Sequence, residues 1–308
     1  MSSAIVHQQW SSLSVEFSTA AEKVGTSVVS IHSHHRHAAS GVVWHKGVIV
    51  TAGHALSGAE LTVTDSQGEA FTAEFAGQDP STDLAVLKVP KEREAPPPAN
   101  IGDAQELKVG HVVLALGRSR RGNLVASSGI ISGLMGAWRT WRGAEIEQFV
   151  RPDLVLYPGF SGGPLVNAAE QVLGINTLAL RRGTPITIPS NTVRRVVEEL
   201  LQKGRIARPY LGLATQPVAL PLALRNKLNL SGTSGALILH VEPDGPASKA
   251  GILLGDILIA MRGKPIEDTD DIQSQLGRSR VGESIPLSLI RGGQRLEVSL
   301  ELGERPAK

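Results

Sequence analysis

At 308 residues the chain is long enough for two or three domains of ordinary size. Its 31 basic and 29 acidic residues leave a formal charge of +2, so charge implies no nucleic-acid partner, and the basic pairs are scattered where a nucleic-acid footprint would be dense. There is no cysteine, which excludes disulfides and zinc–thiolate sites, and no apolar run reaches the roughly 18 residues that a transmembrane segment needs.

A hydrophobic content of 41% with 33 Gly and 18 Pro fits a protein of strands and turns with real cores. The N-terminal sequence shows no basic region followed by an apolar one, so no signal peptide is read and a cytoplasmic location stays open. Residues 1–15 read as a loose polar tail, although Trp10, Leu13, Val15 and Phe17 are apolar enough to dock on something. A short helix is expected over 18–24 and a strand over 28–31. His32, His34, His35 and His37 follow, and with no carboxylate or thiolate beside them they read as a solvated loop before a metal site.

From residue 41 the pattern turns to short apolar strands separated by turns. They are expected at 41–44, 48–51, 61–64, 70–75, 85–89, 111–116, 127–132, 149–151, 164–166, 172–177 and 187–189. Many short strands with almost no helix argue for a mainly β protein built of antiparallel barrels or a sandwich. A helix is expected over 190–203, with Ser190 as its cap, Val193, Val196, Val197 and Leu200 as its apolar stripe and Gly204 as its stop. Residues 205–217 read as a linker merging into a strand over 210–213. A second block then builds its own core, with strands at 236–241, 257–261, 284–290 and 295–300 and helices at 247–250 and 270–276.

The stretch YPGFSGGPLVN over 157–167 sets Ser161 among glycines and prolines. Gly159, Gly162 and Gly163 let the backbone enter conformations closed to other residues, which makes sense if main-chain N–H groups must converge beside one hydroxyl. A tight turn with an incidental serine is the plain alternative. A serine hydroxyl needs a base within hydrogen-bond reach, itself oriented by a third group. TAGHAL over 51–56 puts His54 just past an apolar strand, and STDLAVLKV over 81–89 puts Asp83 at the entrance to another. Each residue alone would be an ordinary loop or strand-end residue.

The order His, Asp, Ser and these three segments resemble a chymotrypsin-fold serine protease, and in particular the HtrA (Deg) family. NIGDAQELKVGHVVLAL over 100–116, GINT over 174–177, IPSNTV over 188–193 and RPYLGL over 208–213 extend the resemblance. GALILHVEPDGPASKAGILLGDILIAMRGKPI over 235–266 is similar to the PDZ domain that follows the protease in that family. The resemblance implies two six-stranded antiparallel β-barrels followed by an α+β PDZ domain. The implied division is an N-terminal segment over 1–19, a trypsin-like serine protease domain over 20–205 and a PDZ domain over 206–308.

Carried over by position, His54 is the expected general base, Asp83 its orienter and Ser161 the nucleophile, with Gly159 and Ser161 forming the oxyanion hole by their backbone N–H groups. The expected substrate pocket involves Val155, Leu156, Asn176, Thr177, Leu178 and Ile188, and a small or medium aliphatic side chain is its expected occupant. The expected peptide site of the PDZ domain involves Tyr210, Leu211, Gly212 and Leu213, with a pocket near Ile272 and Leu276. No metal or organic cofactor is expected. The implied function is an ATP-independent endopeptidase of protein quality control that cuts unfolded polypeptides and holds apolar C-termini. A homotrimer or larger assembly and a periplasmic or other extracytoplasmic location are implied with it.

The chain departs from the family at Phe160, where a small amide is usual, and Tyr157 is bulky beside it. The phenyl ring either packs inside the second barrel and fixes the loop or sits outside and distorts it. These two residues motivate the alternative of a proteolytically weak or inactive chaperone or peptide-binding scaffold. The loop 137–147, with Trp138 and Trp141, is of the kind that rearranges to switch such proteases on.

Overall fold

A computed structural model describes residues 2–32, 39–56, 61–140, 142–181, 183–206, 209–277 and 279–304, with side chains from residue 11 onward. The chain divides into two compact units, Met1–Ile206 and Ala207–Lys308.

The first unit opens with α1 (Ser2–Gly25), which replaces the loose tail expected over 1–15. Phe17, Ala20, Ala21 and Val24 recur at helical spacing and pack on the largest core cluster. That anchor lets the helix propagate backward through sequence in which Val6, Trp10 and Leu13 continue the same spacing. Val15 remains 63% exposed.

Six strands then close a first antiparallel barrel: β1 (Val28–His32), β2 (Ala39–His45), β3 (Val48–Ala52), β4 (Leu61–Thr64), β5 (Ala70–Asp79) and β6 (Leu84–Lys88), in the order β1-β2-β3-β6-β5-β4. The second barrel is built from β7 (Val112–Arg118), β8 (Leu124–Met135), β11 (Phe149–Asp153), β12 (Pro164–Val166), β13 (Val172–Thr177) and β14 (Ile186–Pro189). Between β8 and β11 a small hairpin, β9 (Trp138–Arg139) with β10 (Glu145–Ile146), occupies the loop expected over 137–147. Both barrels are therefore present as expected, each six-stranded and antiparallel.

The burial pattern explains why several strands read as unbroken apolar runs. Val29, Ile31, Val43, Ile49 and Leu87 fill the first barrel, while their neighbours Val28, Val42, Trp44, Val50 and Val86 face outward into a cluster shared with the second barrel. A strand buried on both faces loses its polar alternation. The shared cluster is roofed by α2 (Ser190–Lys203), whose Val193, Val196, Val197 and Leu200 are fully buried. Gly204 ends α2 in the left-handed conformation at φ 71°, as expected. Ser190 is not its cap: Pro189 holds that position, and the Ser190 hydroxyl instead accepts from the N–H of Ala104 at 3.2 Å.

Of the histidine cluster, His32 is described, with Nε2 3.0 Å from Ser30 Oγ and a pKa lowered by burial and then by Arg120. His34, His35 and His37 lie outside the described residues, as do Trp141, Arg208 and the side chain of Trp10.

The second unit is an α+β body with its own core. Its strands are β15 (Pro209–Tyr210), β16 (Leu213–Ala219), β17 (Ser234–Val241), β18 (Ile257–Met261), β19 (Lys264–Pro265), β20 (Ser284–Arg291), β21 (Gln294–Glu301) and β22 (Gly303–Glu304). The main sheet runs β16-β17-β18-β20-β21, with β19 on β18 and a separate β15–β22 pair. The single strand expected over 210–213 is thus two, broken at Leu211 and Gly212. Helices α3 (Leu222–Leu228), α4 (Pro246–Lys249) and α5 (Thr269–Leu276) complete the unit. The unexpected α3 covers a satellite cluster of Leu220, Ile259 and Ile290 with Leu224 and Leu228. A capping box of Asp268 and Asp271 starts α5.

Candidate active site

His54 sits in a single 3-10 turn, Gly53–Ala55, where the chain leaves β3. Asp83 precedes β6, the neighbour of β3 in the barrel, so the ladder itself brings the two loops together. The Gly53 N–H donates to Asp83 O at 2.8 Å, and the His54 N–H donates to Asp83 Oδ1 at 2.8 Å. His54 Nδ1 lies 2.8 Å from Asp83 Oδ2, and Thr177 from β13 donates its hydroxyl to the same oxygen. Asp83 is 5% exposed and Thr177 fully buried, whereas the His54 side chain keeps 39% of its surface open. A carboxylate facing Nδ1 selects the tautomer protonated there and leaves Nε2 as an acceptor.

Asp83 adopts φ 60°, a left-handed conformation that aspartate tolerates better than most residues. The turn before it enforces that geometry. Asp79, 1% exposed, receives the Ser81 N–H at 3.0 Å and the Thr82 hydroxyl at 2.9 Å on its carboxylate.

Ser161 lies between two tight turns. The Phe160 N–H donates to Tyr157 O at 3.0 Å and the Gly163 N–H to Phe160 O at 2.9 Å, with Gly159 at φ 99° and Gly162 at φ 86° as the third residue of each. Among the described residues, no acceptor receives the N–H of Gly159 or of Ser161. The turns press on the strand that leads to His54. A Cβ on Gly162 would stand 2.2 Å from Ser40 O, 2.4 Å from Thr51 Oγ1 and 2.7 Å from Ala52 N. Glycine is required there on two counts, the left-handed φ and the close approach.

Phe160 is 2% exposed and packs inside the second barrel with Val113, Ala115, Ile131, Leu165 and Leu173. Tyr157 stays 56% exposed, its ring 5.9 Å from that of Phe160. Of the expected pocket residues, Val155 is 55% exposed, Leu156 is buried and Leu178 half-buried against the second barrel's core. Asn176 and Thr177 are fully buried, and Asn176 Oδ1 accepts from the Thr187 hydroxyl at 2.8 Å. Ile188 is also fully buried, but in the cluster under α2. Residues that the sequence reading did not single out, Ser40, Thr51 and Asp79, carry much of this network, together with Thr187 of the expected 187–188 pocket segment. Buried polar side chains inside apolar strands were the available signal. No group of three or more histidines and carboxylates that could hold a metal ion occurs among the described residues.

In the second unit, β16 is an edge strand of the sheet, with β17 as its one neighbour among the described residues. The carbonyls of Leu211 and Gly212 are taken by the N–H groups of Ala247 and Glu242, each at 2.8 Å, while no described residue accepts the N–H groups of Leu211 and Gly212 themselves. Two successive donors left open at the head of an edge strand suit a carboxylate. Gly212 takes φ 74° and Tyr210 pairs with Gly303. Leu211, Ile272 and Leu276 are buried members of the core, and Leu213 is half-buried against it.

Comparisons with known proteins agree with this geometry. Residues 39–175 match the trypsin-like peptidase domain family and residues 209–302 the PDZ domain family. A probable periplasmic serine endoprotease DegP-like from Halomonas elongata is 33% identical over 271 residues, covering 86% of this chain and 56% of that protein. The chain thus spans little more than half of that relative. The serine protease Do-like HtrA from Lactobacillus helveticus is 34% identical over 282 residues, covering 85% of this chain and 68% of its own length. Among solved structures, the HtrA-type protease AlgW with decapeptide superposes with a TM-score of 0.72 at 27% identity, covering 95% of this chain and 99% of that one. The serine endoprotease from Yersinia pestis gives 0.72 at 30% identity over 94% and 98%. A relative more than 30% identical and matched over two thirds of its length shows the family: this chain belongs to the HtrA (Deg) serine proteases.

Proposed function

We propose that this chain is an ATP-independent serine endopeptidase of protein quality control that cleaves unfolded polypeptides. The observation that carries the reading is the Asp83–His54 hydrogen bond, set against a turn that presents Ser161 with two N–H groups that no described residue accepts. Ser161 Oγ attacks the peptide carbonyl carbon while His54 Nε2 takes its proton. The negative oxygen that forms is received by the N–H groups of Gly159 and Ser161. His54 then passes the proton to the leaving amine, and a water activated by the same imidazole hydrolyses the acyl-enzyme. Asp83 stays ionised and holds the tautomer.

Val155, Leu156, Asn176, Thr177, Leu178 and Ile188 bound the region where a small or medium aliphatic side chain is taken, some as lining and the buried ones as support. The burial of Phe160 supports a fixed loop and removes much of the reason for an inactive scaffold. In the PDZ unit, an apolar C-terminus adds beside β16 and its carboxylate meets Leu211 and Gly212. By likeness to its relatives the protein works as a homotrimer, and the name of the Halomonas protein supports a periplasmic site of action.

Cleavage of unfolded casein by the chain, compared with Ser161→Ala, tests the reading. The parent should digest casein and the variant should lose at least about a thousandfold in rate; equal rates would remove the enzyme reading. Light scattering should give three times the chain mass.

A further inference from the structure

Ser40 is fully buried in β2, in alternation with the inward Ala39 and on the side of the apolar Val42 and Trp44. Every polar group it owns is spent on the elements that build the site. Its N–H donates to Ser161 O at 3.1 Å, and its carbonyl accepts the Thr51 hydroxyl at 2.7 Å, in the strand that leads to His54. Its hydroxyl lies 2.6 Å from Gly159 O and receives the N–H of Arg118 at 2.8 Å. A hydroxyl has one proton, and an amide N–H can only donate, so the Ser40 proton is directed at Gly159 O.

We infer that Ser40 is a positioning residue for the oxyanion turn: its hydroxyl holds the carbonyl of the Gly159–Phe160 peptide and its N–H holds the Ser161 carbonyl, which fixes the peptides adjoining the two whose N–H groups, of Gly159 and Ser161, serve the cleft. Gly159 needs such a lock. With no Cβ and a φ of 99°, Gly159 resists rotation of its flanking peptides less than another residue would, and a rotation there would swing an N–H out of the cleft. Phe160 anchors the far side of the turn by burial, and its N–H, bonded to Tyr157 O at 3.0 Å, holds the amide end of the same peptide whose carbonyl end Ser40 holds. Gly117 of β7 passes close by, since a Cβ there would stand 3.0 Å from Ser40 Oγ and 3.4 Å from Phe160 Cα. The hydroxyl of Ser40 therefore lies in a gap made to fit it. Arg118, whose N–H completes the lock, is itself held by its guanidinium on the carbonyls of Val28, Gly122 and Gly25.

The inference rests on the reading of this turn as an oxyanion site, and Ser40→Ala tests it. The kcat on a peptide substrate should fall about ten- to a hundredfold with KM within about twofold, because only the transition state uses the aimed N–H groups. Affinity for a peptide boronate should fall by the same factor, while that for the product peptide should hold. A kcat within twofold of the parent, or equal losses of boronate and product affinity, would overturn the inference. Amide exchange gives a readout that needs neither activity nor a folded variant. In the parent, the Phe160 amide should exchange at least about tenfold more slowly than an open loop amide, and fast exchange there would overturn a locked turn. If the parent proves inactive and its Ser161 unreactive toward a fluorophosphonate, the peptidase reading fails, while the exchange rate still decides whether the turn is held.

Discussion

Thr177 donates its hydroxyl to Oδ2 of Asp83, the same oxygen that faces Nδ1 of His54. Among the described residues no lysine or arginine is hydrogen-bonded to this buried carboxylate, and its directed donors are the backbone N–H of His54, the imidazole and the threonine hydroxyl. Such bonds to a charged group are each worth about 1.5–3 kcal/mol. Thr177→Val keeps the shape and removes the donor, and it also strips the N–H of Ala179 of its acceptor. We expect kcat to fall about tenfold or more with KM little changed. Steady-state kinetics on a peptide substrate would check it, and an unchanged kcat would remove Thr177 from the orienting network.

The close approach of the serine turn to β3 gives a second prediction. Gly162→Ala places a methyl group within 2.2 Å of Ser40 O and 2.4 Å of Thr51 Oγ1, at a φ of 86°. Backbone cannot yield as a flexible side chain can, so the turn must move away from the strand that carries His54. Strain at such a position is on the order of 1–3 kcal/mol, before the clash is counted. Thermal melting should drop by several degrees and labelling of Ser161 by a fluorophosphonate should be lost. A variant that melts like the parent and labels at full rate would contradict the packing described.

How much of this was legible in the sequence follows from where the signals lie. The helix over 190–203 was readable because Val193, Val196, Val197 and Leu200 form one stripe and Gly204 closes it. Strands at 61–64, 164–166, 172–177 and 257–261 appear at the bounds read for them. The helix over residues 2–15 was legible but not read: Val6, Trp10, Leu13 and Phe17 recur at spacings of four, three and four and run on into Ala20 and Val24, which dock on a core assembled by distant strands. The two-residue strands of the β9–β10 hairpin are too short to carry a pattern. His54, Asp83 and Ser161 stood out because each sits in a recognisable segment. Ser40 did not, because its hydroxyl partner Gly159 lies over a hundred residues away, whereas Asp79 bonds to Ser81 and Thr82 in a local turn signature that went unread.

Phe160 supports a third prediction. Its ring fills the second barrel among Val113, Ala115, Ile131 and Leu165, so Phe160→Ala should cost about 3–5 kcal/mol and Phe160→Leu about 1 kcal/mol. Phe160→Asn, which installs a small amide, should be no better than alanine, because the amide would be buried where the ring left only apolar neighbours. Denaturant unfolding would rank the three. A stable asparagine variant would mean that the loop can repack, and that the ring is not what fixes it.

The PDZ unit carries its own acid sensitivity. Asp256 is 2% exposed and receives Arg291 Nε on Oδ1 at 2.8 Å, with Arg291 Nη2 and the Leu253 N–H on Oδ2 at 2.7 and 2.8 Å. Burial pushes its pKa up, but the hydrogen bonds from Arg291 and Leu253 outweigh burial and hold it below the usual carboxylate range. The unfolded chain therefore takes up the proton first as pH falls, and the stability contributed by the pair is complete above the ordinary aspartate pKa of about 3.9 and is lost below it, toward the depressed folded value. With the Arg291 side chain 37% exposed, solvent screening trims the contribution to about 1–2 kcal/mol. Asp256→Asn should lower the stability of this unit by that amount at pH 7, and the difference from the parent should shrink as pH drops toward 3. Amide exchange at Leu258 and Leu287, both buried in the sheet, would report it for this unit alone. A difference that stays constant across the range would show that Asp256 acts through its shape and its neutral hydrogen bonds, with no part played by its charge.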